Sequence, residues 1–399
     1  MGELGQFRPA HYLNRQGHDG DWSIHWHRRH HGPAATGPPA LNAAARQPQL
    51  LLAGGGHSHV LMLRQWALRP HSRPASGSVT LVSRHPTSLY SGLVPAVVAG
   101  LATPASARIN LKRLCQQAGV RFLQAEITGL ELGPRQLLLQ GGERLGFDIL
   151  SLDVGAITPA PADGAMAVKP LEPFLAWVNA LPAGAPLRLR GGGASAVELA
   201  LALSRRGHPC RLLLRGPGLA LGSPAANRAG ERLLAAAGVA LERNGTYQGP
   251  ADLACTGSQA PPWLAASGLP VQPDSGRVLT ETSLAVLGER GLFAVGDCGL
   301  VRARPRPAAG VWAVQAAAVL ATNLGRSLAA PPLALRCWTP RRHALQLLGD
   351  SGAGRPDQQP RALALWGPWV LGPTTWLGGL KHRIDRRFMD GFQGWVPPK

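Results

Sequence analysis

Two glycine-rich turns, each lying between a short apolar run and a helix-like segment, constrain the fold of this chain more than any other feature. The first turn is Gly54-Gly55-Gly56 and the second is Gly191-Gly192-Gly193. Each belongs to a unit that begins and ends with a β-strand pattern, over residues 50–82 and 187–214, with a helix pattern between the strands. Repeated strand–helix–strand units predict parallel sheets covered by helices on both faces, so the sequence predicts an α/β fold.

The glycine spacing in both turns suits the binding of a dinucleotide. In such a turn the first glycine permits the sharp bend, the second lets the backbone approach the pyrophosphate, and the N-terminus of the next helix offers N–H groups and partial positive charge. The glycines at these positions are Gly54 and Gly56 in the first turn, and Gly191 and Gly193 in the second. Where the helix packs on the strand, the first turn has His59 instead of a third glycine, and the second has the small residue Ala196. A turn without a ligand is the alternative for either one alone, and the repeated context weighs against it.

The residues after the second strand of each unit do not decide between NADH and NADPH. An acidic residue often accepts hydrogen bonds from the adenosine ribose at this position. The first unit has Ser83 and Arg84 there, and the second has Arg215. Arg215 fits either the 2′-phosphate of NADP or a solvated surface, so both NADH and NADPH stay open.

A third element, residues 292–297, is an apolar strand pattern that ends in Gly296-Asp297. A carboxylate at this place can accept hydrogen bonds from the ribityl hydroxyls of a flavin, and capping of the following turn is the alternative. A helix predicted over residues 310–326 would direct its N-terminus at the flavin and stabilise negative charge on the reduced ring. Two glycine turns followed by this element indicate a chain that binds two dinucleotides and passes electrons between them.

Length and composition limit the number of domains, the possible partners and the cellular location. The 399 residues, 45% of them hydrophobic, suffice for two or three folded domains. The net charge of +19 comes almost entirely from arginine, which we attribute largely to coding bias, and no recognition motif supports a nucleic-acid partner. Five cysteines form neither a CxxC motif nor a metal-type cluster, so we predict no metal site and a reducing, cytoplasmic location. No apolar stretch is long enough to span a bilayer.

The order of the patterns predicts a second domain inserted in the first. We expect the following division: a disordered His/Arg/Pro-rich extension over 1–47, an FAD-binding domain over 48–160 and 280–330, an NAD(P)-binding domain over 161–279, and a Trp-rich C-terminal segment over 331–399.

Several motifs in this order resemble those of the pyridine nucleotide-disulfide oxidoreductases, the two-dinucleotide-binding flavoproteins. The similarity is greatest to the NADH dehydrogenase-like branch found fused ahead of selenide, water dikinase, in which a histidine at the place of His59 is usual. The motifs are Gly54 to Val60, Tyr90 to Pro95, Phe147 to Gly155, Val168 to Pro170, the second glycine turn, Cys255 to Gly257, Gly296 to Cys298 and Ala309 to Val311. The resemblance covers residues 48–390 and implies two Rossmann-like domains, with FAD at the first turn and NADH or NADPH at the second.

The resemblance and the turns together give the predicted site residues. Those expected at FAD are Gly54, Gly56, His57, Ser58, His59, Ser83, Arg84, Tyr90, Ser91, Gly92, Gly155, Gly296, Asp297, Gly310 and Val311. Those expected at NAD(P) are Gly191, Gly193, Ala194, Ser195, Glu198, Arg215, Thr256 and Gly257. Lys169 is the candidate for neutralising an anion of the cofactor or acceptor, and a solvated lysine is its alternative.

The activity implied is that of a type II NADH dehydrogenase-like, FAD-dependent NAD(P)H oxidoreductase. The chain lacks the closely spaced cysteine pair of the disulfide reductases, which favours a small electron acceptor such as a quinone. Two alternatives stay open: a redox supplier to selenium metabolism, and a flavin-binding protein without turnover. The second is suggested by residues 315–318, which are less polar than the family pattern.

The C-terminal segment has two interpretations. Tryptophans and a basic stretch within residues 362–395 are typical of a segment that lies on the cytoplasmic face of a membrane. The alternative is a C-terminal domain that packs on the FAD domain or on a second copy of the chain in a homodimer.

Overall fold

The computed structural model describes residues 47–75, 77–245, 249–353 and 359–393. The predicted N-terminal extension, apart from Gln47, and the tryptophan at position 395 lie outside the described residues.

The secondary structure alternates between strands and helices over most of the described chain. The strands are β1 (Gln49–Ala53), β2 (Ser78–Ser83), β3 (Thr87–Leu89), β4 (Arg108–Asn110), β5 (Arg121–Gln124), β6 (Ile127–Glu131), β7 (Gln136–Leu139), β8 (Arg144–Gly146), β9 (Ile149–Leu152), β10 (Met166–Ala167), β11 (Leu187–Arg190), β12 (Cys210–Leu213), β13 (Ala240–Glu242), β14 (Leu253–Ala254), β15 (Val278–Thr280), β16 (Leu292–Ala294), β17 (Gly299–Val301), β18 (Gln346–Gly349), β19 (Ala362–Trp366) and β20 (Trp369–Thr374). The α-helices are α1 (His57–Leu68), α2 (Val94–Val98), α3 (Leu111–Ala118), α4 (Leu171–Ala180), α5 (Ala194–Arg205), α6 (Pro224–Ala236), α7 (Trp263–Ala266), α8 (Gly310–Leu328) and α9 (Thr375–Asp390). Short 3-10 helices cover Pro70–Ser72, Ser91–Leu93, Pro104–Ala107 and Gly296–Cys298.

The first sheet is built from five parallel strands in the order β16-β9-β1-β2-β5. Its central strand β1 is almost entirely buried, as expected of a parallel strand with both faces covered. Helix α1 packs against α3 and α8. In addition, α3 contacts strand β5 and α8 contacts strand β9. The apolar residues of α1 that enter this core include Met62, Leu63 and Trp66, all completely buried.

The second sheet is also parallel and has the order β10-β14-β11-β12-β13. All its strands lie in the sequence between β9 and β16, which are neighbours in the first sheet. The second sheet is therefore an insertion in the first, as the order of the motifs predicted. Together they form a mixed α/β structure with two Rossmann-like sheets.

Helices α1 and α5 both begin directly after a glycine turn. Gly56 and Gly193 are their N-caps, with extended backbone conformations. The apolar periodicity alone indicated starts near Val60 and Val197, because the first residues of both helices are small or polar and carry no apolar signal. Helix α8 begins at Gly310 as predicted and continues to Leu328.

The C-terminal segment is a folded part of the structure. Strands β18, β19 and β20 form an antiparallel sheet, and α9 packs on it. This sheet contacts α5 through β18 and α6 through β20, so it lies against helices of the second sheet. No helix among the described residues is both long and apolar enough to cross a bilayer.

One buried side chain fastens the start of this segment to α8. Asn323 is completely buried, and its Nδ2 donates hydrogen bonds of 2.8 Å to the carbonyls of Ser283 and Arg336. Its Oδ1 accepts a third bond, also 2.8 Å, from the Arg336 N–H.

We expect Asn323→Ala to lower the free energy of unfolding by about 2–3 kcal/mol, because it removes three hydrogen bonds and leaves backbone groups unpaired. Urea unfolding monitored by circular dichroism measures the change. The neighbouring Thr322→Ala, whose hydroxyl bonds within α8, is the control and should cost less than about 1 kcal/mol. Equal losses in both variants would contradict the role given to Asn323.

Candidate functional site

The carboxyl ends of the first sheet form a groove. Strands β1, β9 and β16 are adjacent and parallel, so the loops that follow them meet at one edge of the sheet. The resulting cavity has a volume of about 270 Å³. Predicted FAD residues that line this first groove are Gly54, Gly56, His57, Ser83, Arg84, Ser91, Gly155, Gly296, Asp297 and Gly310, and Lys169 lines it as well.

Glycine is required where two of these loops touch. Gly54 and Gly296 have φ angles of +90° and +64°, in the left-handed region that favours glycine. A side chain at Gly56 or Gly296 would clash with the carboxylate of Asp153, which lies between the two turns. The glycines are therefore needed for the loop packing as well as for the approach of a ligand.

Asp153 was not among the predicted site residues, although it lies in one of the matched motifs. It follows β9 and is buried, and its Oδ2 accepts hydrogen bonds from the N–H groups of Ser58 (2.8 Å) and His59 (3.0 Å). Burial raises the pKa of the Asp153 carboxyl to about 6, against the lowering effect of these two bonds. Two N–H groups that the sequence assigned to a pyrophosphate are therefore bonded to a protein carboxylate.

His57 is the first residue of α1 and points into a buried, partly aromatic environment. Its ring centroid lies 5.7 Å from that of Tyr90 and 6.2 Å from that of Phe388 on α9. Burial lowers the pKa of His57, so the imidazole is neutral near pH 7. Its Nε2 is buried and has no hydrogen-bond partner among the described residues. A buried polar atom of this kind at the wall of a groove fits a bound polar ligand.

Ser58 and His59 do not direct their side chains into the first groove. The Ser58 hydroxyl donates to the Ala313 carbonyl of α8 (2.9 Å). The Nδ1 of His59 lies 2.7 Å from the Gly54 carbonyl and its Nε2 lies 2.8 Å from the Ser151 hydroxyl. Because a carbonyl only accepts, Nδ1 carries the proton and Ser151 donates to Nε2. His59 therefore ties α1 to the glycine turn and to β9, and burial lowers its pKa to about 4.

Two ion pairs line the first groove. Lys169 Nζ lies 2.6 Å from Asp297 Oδ2, so the lysine is paired rather than simply solvated. Arg84 binds both carboxylate oxygens of Glu126, at 2.6 and 2.8 Å. Glu126 follows β5 and lines the groove, and it was not among the predicted site residues. Its carboxylate lies beside Arg84, near the position at which an acidic side chain often binds the adenosine ribose.

A second, larger groove lies at the carboxyl ends of the second sheet and has a volume of about 810 Å³. The predicted NAD(P) residues that line it are Gly191, Gly193, Arg215, Thr256 and Gly257. Ala194 and Ser195 form the first turn of α5, beside the groove but outside its lining.

Glu198, also predicted at NAD(P), faces the C-terminal segment instead of the second groove. Its Oε1 accepts a 2.9 Å hydrogen bond from the Gly349 N–H and lies 4.0 Å from Lys381 Nζ. Burial raises the pKa of Glu198, while Lys381 and Gly349 act against the increase. Any contact of Glu198 with a nucleotide stays a prediction.

Lys381 on α9 connects both domains. Its Nζ donates to the Gly92 carbonyl and to Asp385, each at 3.2 Å. Burial opposes the charge on Lys381, but Glu198 and Asp385 outweigh burial and raise the pKa of the lysine. Asp385 also accepts a 2.9 Å hydrogen bond from the Tyr90 hydroxyl.

The ring of Tyr90 stacks on Phe388, with centroids 4.3 Å apart. Tyr90, Gly92 and Val311 are predicted FAD residues that stand outside the lining of the first groove. The structure thus places the first two against α9.

The cysteines provide no reactive thiol at either groove. Burial raises the pKa of Cys255 and Cys298 to about 12, so both thiols are protonated near pH 7. All five cysteines are free thiols. Among the described residues, no group of His, Cys, Asp and Glu side chains is arranged to hold a metal ion.

The two parallel sheets, one inserted in the other and each with a glycine turn before a helix, give the chain a Rossmann-like α/β fold with two sheets. By sequence, no family model and no curated protein matches the chain.

Several solved structures share this fold. The sulfide:quinone oxidoreductase from the hyperthermophilic bacterium Aquifex aeolicus is 18% identical, with a TM-score of 0.67 over 88% of this chain and 93% of that one. A ferredoxin reductase from Rhodopseudomonas palustris is 15% identical, with a TM-score of 0.63 over 79% and 82% of the chains. The reductase in the covalent putidaredoxin reductase–putidaredoxin complex is 18% identical, with a TM-score of 0.61 over 85% and 93%. At these identities the similarity is one of fold.

We expect Lys381→Met to destabilise the folded chain by about 3 kcal/mol, because it leaves the carboxylates of Glu198 and Asp385 buried without their cation. Urea unfolding measures the loss. Adding Glu198→Gln to this variant removes one of the stranded charges and should recover part of the stability.

Arg383→Met, on the exposed side of α9, is the matched control and should change stability by less than about 0.5 kcal/mol. A double variant no more stable than Lys381→Met would contradict the pairing of Lys381 with Glu198.

Proposed function

We propose that the chain is an FAD-dependent NAD(P)H oxidoreductase of the type II NADH dehydrogenase-like kind. The observation that carries the proposal is the pair of grooves, one behind each glycine turn, in a fold shared with oxidoreductases. FAD binds the first groove, and NADH or NADPH binds the second.

The first groove suits FAD in three respects. The Gly54–Gly56 turn and the N-terminus of α1 receive the pyrophosphate. Asp297, held by Lys169, presents a carboxylate oxygen to the ribityl hydroxyls. The N-terminus of α8 at Gly310 and the Nε2 of His57, which has no partner in the described part of the chain, supply polar contacts at the groove wall. Bound FAD supplies the ring that accepts hydride, and these residues position it and stabilise its reduced form.

The second groove suits a reduced nicotinamide nucleotide. Gly191 and Gly193 allow the backbone to approach the pyrophosphate at the N-terminus of α5, where Ala194 and Ser195 provide N–H groups. Arg215 lines the groove after β12 and is placed to meet a 2′-phosphate, which would favour NADPH.

Electrons leave the flavin to a small acceptor, for which we favour a quinone. Cys255 and Cys298 are free cysteines, and burial raises the pKa of each thiol to about 12, so they are unsuited to form the disulfide that accepts electrons in a disulfide reductase. One structure with this fold is named as a sulfide:quinone oxidoreductase, and two others are named as a ferredoxin reductase and a putidaredoxin reductase. A role in selenium metabolism and a flavin protein without turnover are the competing proposals.

The test is an anaerobic titration of the FAD-loaded chain. We expect a yellow protein whose flavin absorbance is bleached by NADH or NADPH. Faster bleaching by NADPH than by NADH would support a contact of Arg215 with the 2′-phosphate. Colourless protein that cannot be loaded with FAD would refute the proposal. Flavin that dithionite reduces but neither nucleotide does would favour the protein without turnover. Reoxidation by quinones or by selenium compounds then identifies the acceptor class.

Gly193→Val is the matched variant for the nucleotide site. Gly193 has an extended backbone, and a side chain there would enter open space, so the substitution is compatible with folding. The added side chain would project where the pyrophosphate approaches. We expect the variant to keep its flavin and its reduction by dithionite, and to lose bleaching by NADH and NADPH at least tenfold in rate.

We also propose that the C-terminal segment docks on an anionic membrane surface. Trp366, Trp369 and Trp376 are 57%, 72% and 68% exposed, and Ile384 continues the apolar face along α9. The exposed side of α9 also carries Arg383, Arg386 and Arg387. Exposed tryptophans beside arginines suit the interface of a bilayer with anionic lipids.

Co-sedimentation with vesicles measures this docking. We expect binding to vesicles that contain anionic lipid, weaker binding at high salt, and at least a fivefold loss in Trp369→Ser/Trp376→Ser. Leu101→Ser, at an exposed leucine outside the segment, is the control. Binding that is unchanged by the tryptophan substitutions would rule out this surface.

A further inference from the structure

The carboxylate of Asp153 lies where the proposed function places a pyrophosphate. Its Oδ2 holds the N–H groups of Ser58 and His59, the second and third residues of α1. The pyrophosphate of a dinucleotide seeks the same helix terminus, because free N–H groups and the positive end of the helix dipole are there. A bound pyrophosphate therefore has to share this helix terminus with the carboxylate of Asp153.

The charged and titratable groups around Asp153 do little to stabilise the negative charge of its carboxylate. From α1, His57 is buried and neutral, and the His59 ring is bonded to Gly54 and Ser151. From the turn after β16, Asp297 adds negative charge and the Cys298 thiol is protonated.

The nearby cations bond to groups other than Asp153. Lys169 pairs with Asp297, and the guanidinium of Arg277 donates to the carbonyls of Arg306 and Gly299. Among the described residues, no cation forms an ion pair with Asp153.

A pyrophosphate brings further negative charge into this buried position. The repulsion is relieved most simply if Asp153 becomes neutral, since a buried carboxyl without a cation is protonated with little difficulty. The protonated carboxyl keeps an oxygen for the N–H groups of α1 and gains an O–H that can donate to a phosphate oxygen.

We propose that binding of FAD in the first groove is coupled to the uptake of one proton by Asp153. The inference rests on the proposed function, in that FAD is the ligand of this groove. Asp153 acts as a positioning residue that holds the start of α1. When the pyrophosphate binds, the carboxylate takes up a proton and becomes neutral. The pKa of about 6 for the free carboxyl means that it is ionised near neutral pH and must take up the proton on binding.

Calorimetric titration of the FAD-free chain with FAD tests this coupling. At about pH 7.5, in buffers of different ionisation enthalpy, the slope of the observed enthalpy against buffer enthalpy should correspond to uptake of about one proton. The affinity should fall by up to about tenfold for each pH unit above 7. A slope of zero, with FAD bound, would overturn the inference and leave the proposed function intact. Absence of FAD binding between about pH 5.5 and 8.5 would overturn both.

Asp153→Asn gives an independent readout, because asparagine keeps the shape and an acceptor oxygen without the charge. We expect no proton uptake, an affinity nearly independent of pH, and tighter binding of FAD than the unsubstituted chain at about pH 8. Asp148→Asn is the matched control: Asp148 precedes β9, at the opposite end of the same strand, and accepts a bond from the Gln49 N–H. This variant should keep the proton uptake of the unsubstituted chain. Should Asp153→Asn fail to fold, the buffer dependence of the unsubstituted chain decides the matter alone.

Discussion

The contact between Asp153 and the N-terminus of α1 holds the first groove together. The carboxylate bonds to two N–H groups of α1, while the Asp153 backbone N–H donates to Ala53 at the end of β1. Gly56 and Gly296 leave the space that this side chain needs. Burial of an unpaired carboxylate costs several kcal/mol, which two charge-assisted hydrogen bonds and the helix dipole offset in part. The protein thus stabilises the negative charge of Asp153 only in part, so a ligand that binds beside it can change the protonation state of the carboxyl.

Both Rossmann-like sheets were predictable from the sequence because their signals are local. Strand β1 is almost entirely buried, which favours its short apolar run, whereas leucine alternates with arginine in β11 and only the leucines are buried. A glycine turn follows each of these strands directly. The same turns fix the starts of α1 and α5. The C-terminal sheet was not predicted, since β20 is mostly exposed and its sequence, with a proline and a glycine, lacks a clear alternation of apolar and polar residues.

The candidate site was most predictable where backbone geometry demands a particular residue type. The glycines of the turns carry such a signal, and most of them line a groove. Glu126 and Lys381 carry none, because an ordinary acidic or basic residue gains its role from a partner distant in the sequence. Tyr90 and Asp385, which share a hydrogen bond, are 295 positions apart. No local pattern distinguishes such residues from solvated surface charges.

Helix α9 relates the two grooves to the exposed tryptophans. Through Lys381 it contacts Gly92 of the first domain and Glu198 on α5 of the second. On the proposed function, hydride passes between rings held by these two domains, and such a transfer depends steeply on their separation and alignment. The outer face of the same helix carries Trp376 and Ile384, which we assign to the membrane surface. Helix α9 therefore joins the surface proposed for membrane docking to α5, the helix behind the second groove, through the buried pair of Lys381 and Glu198.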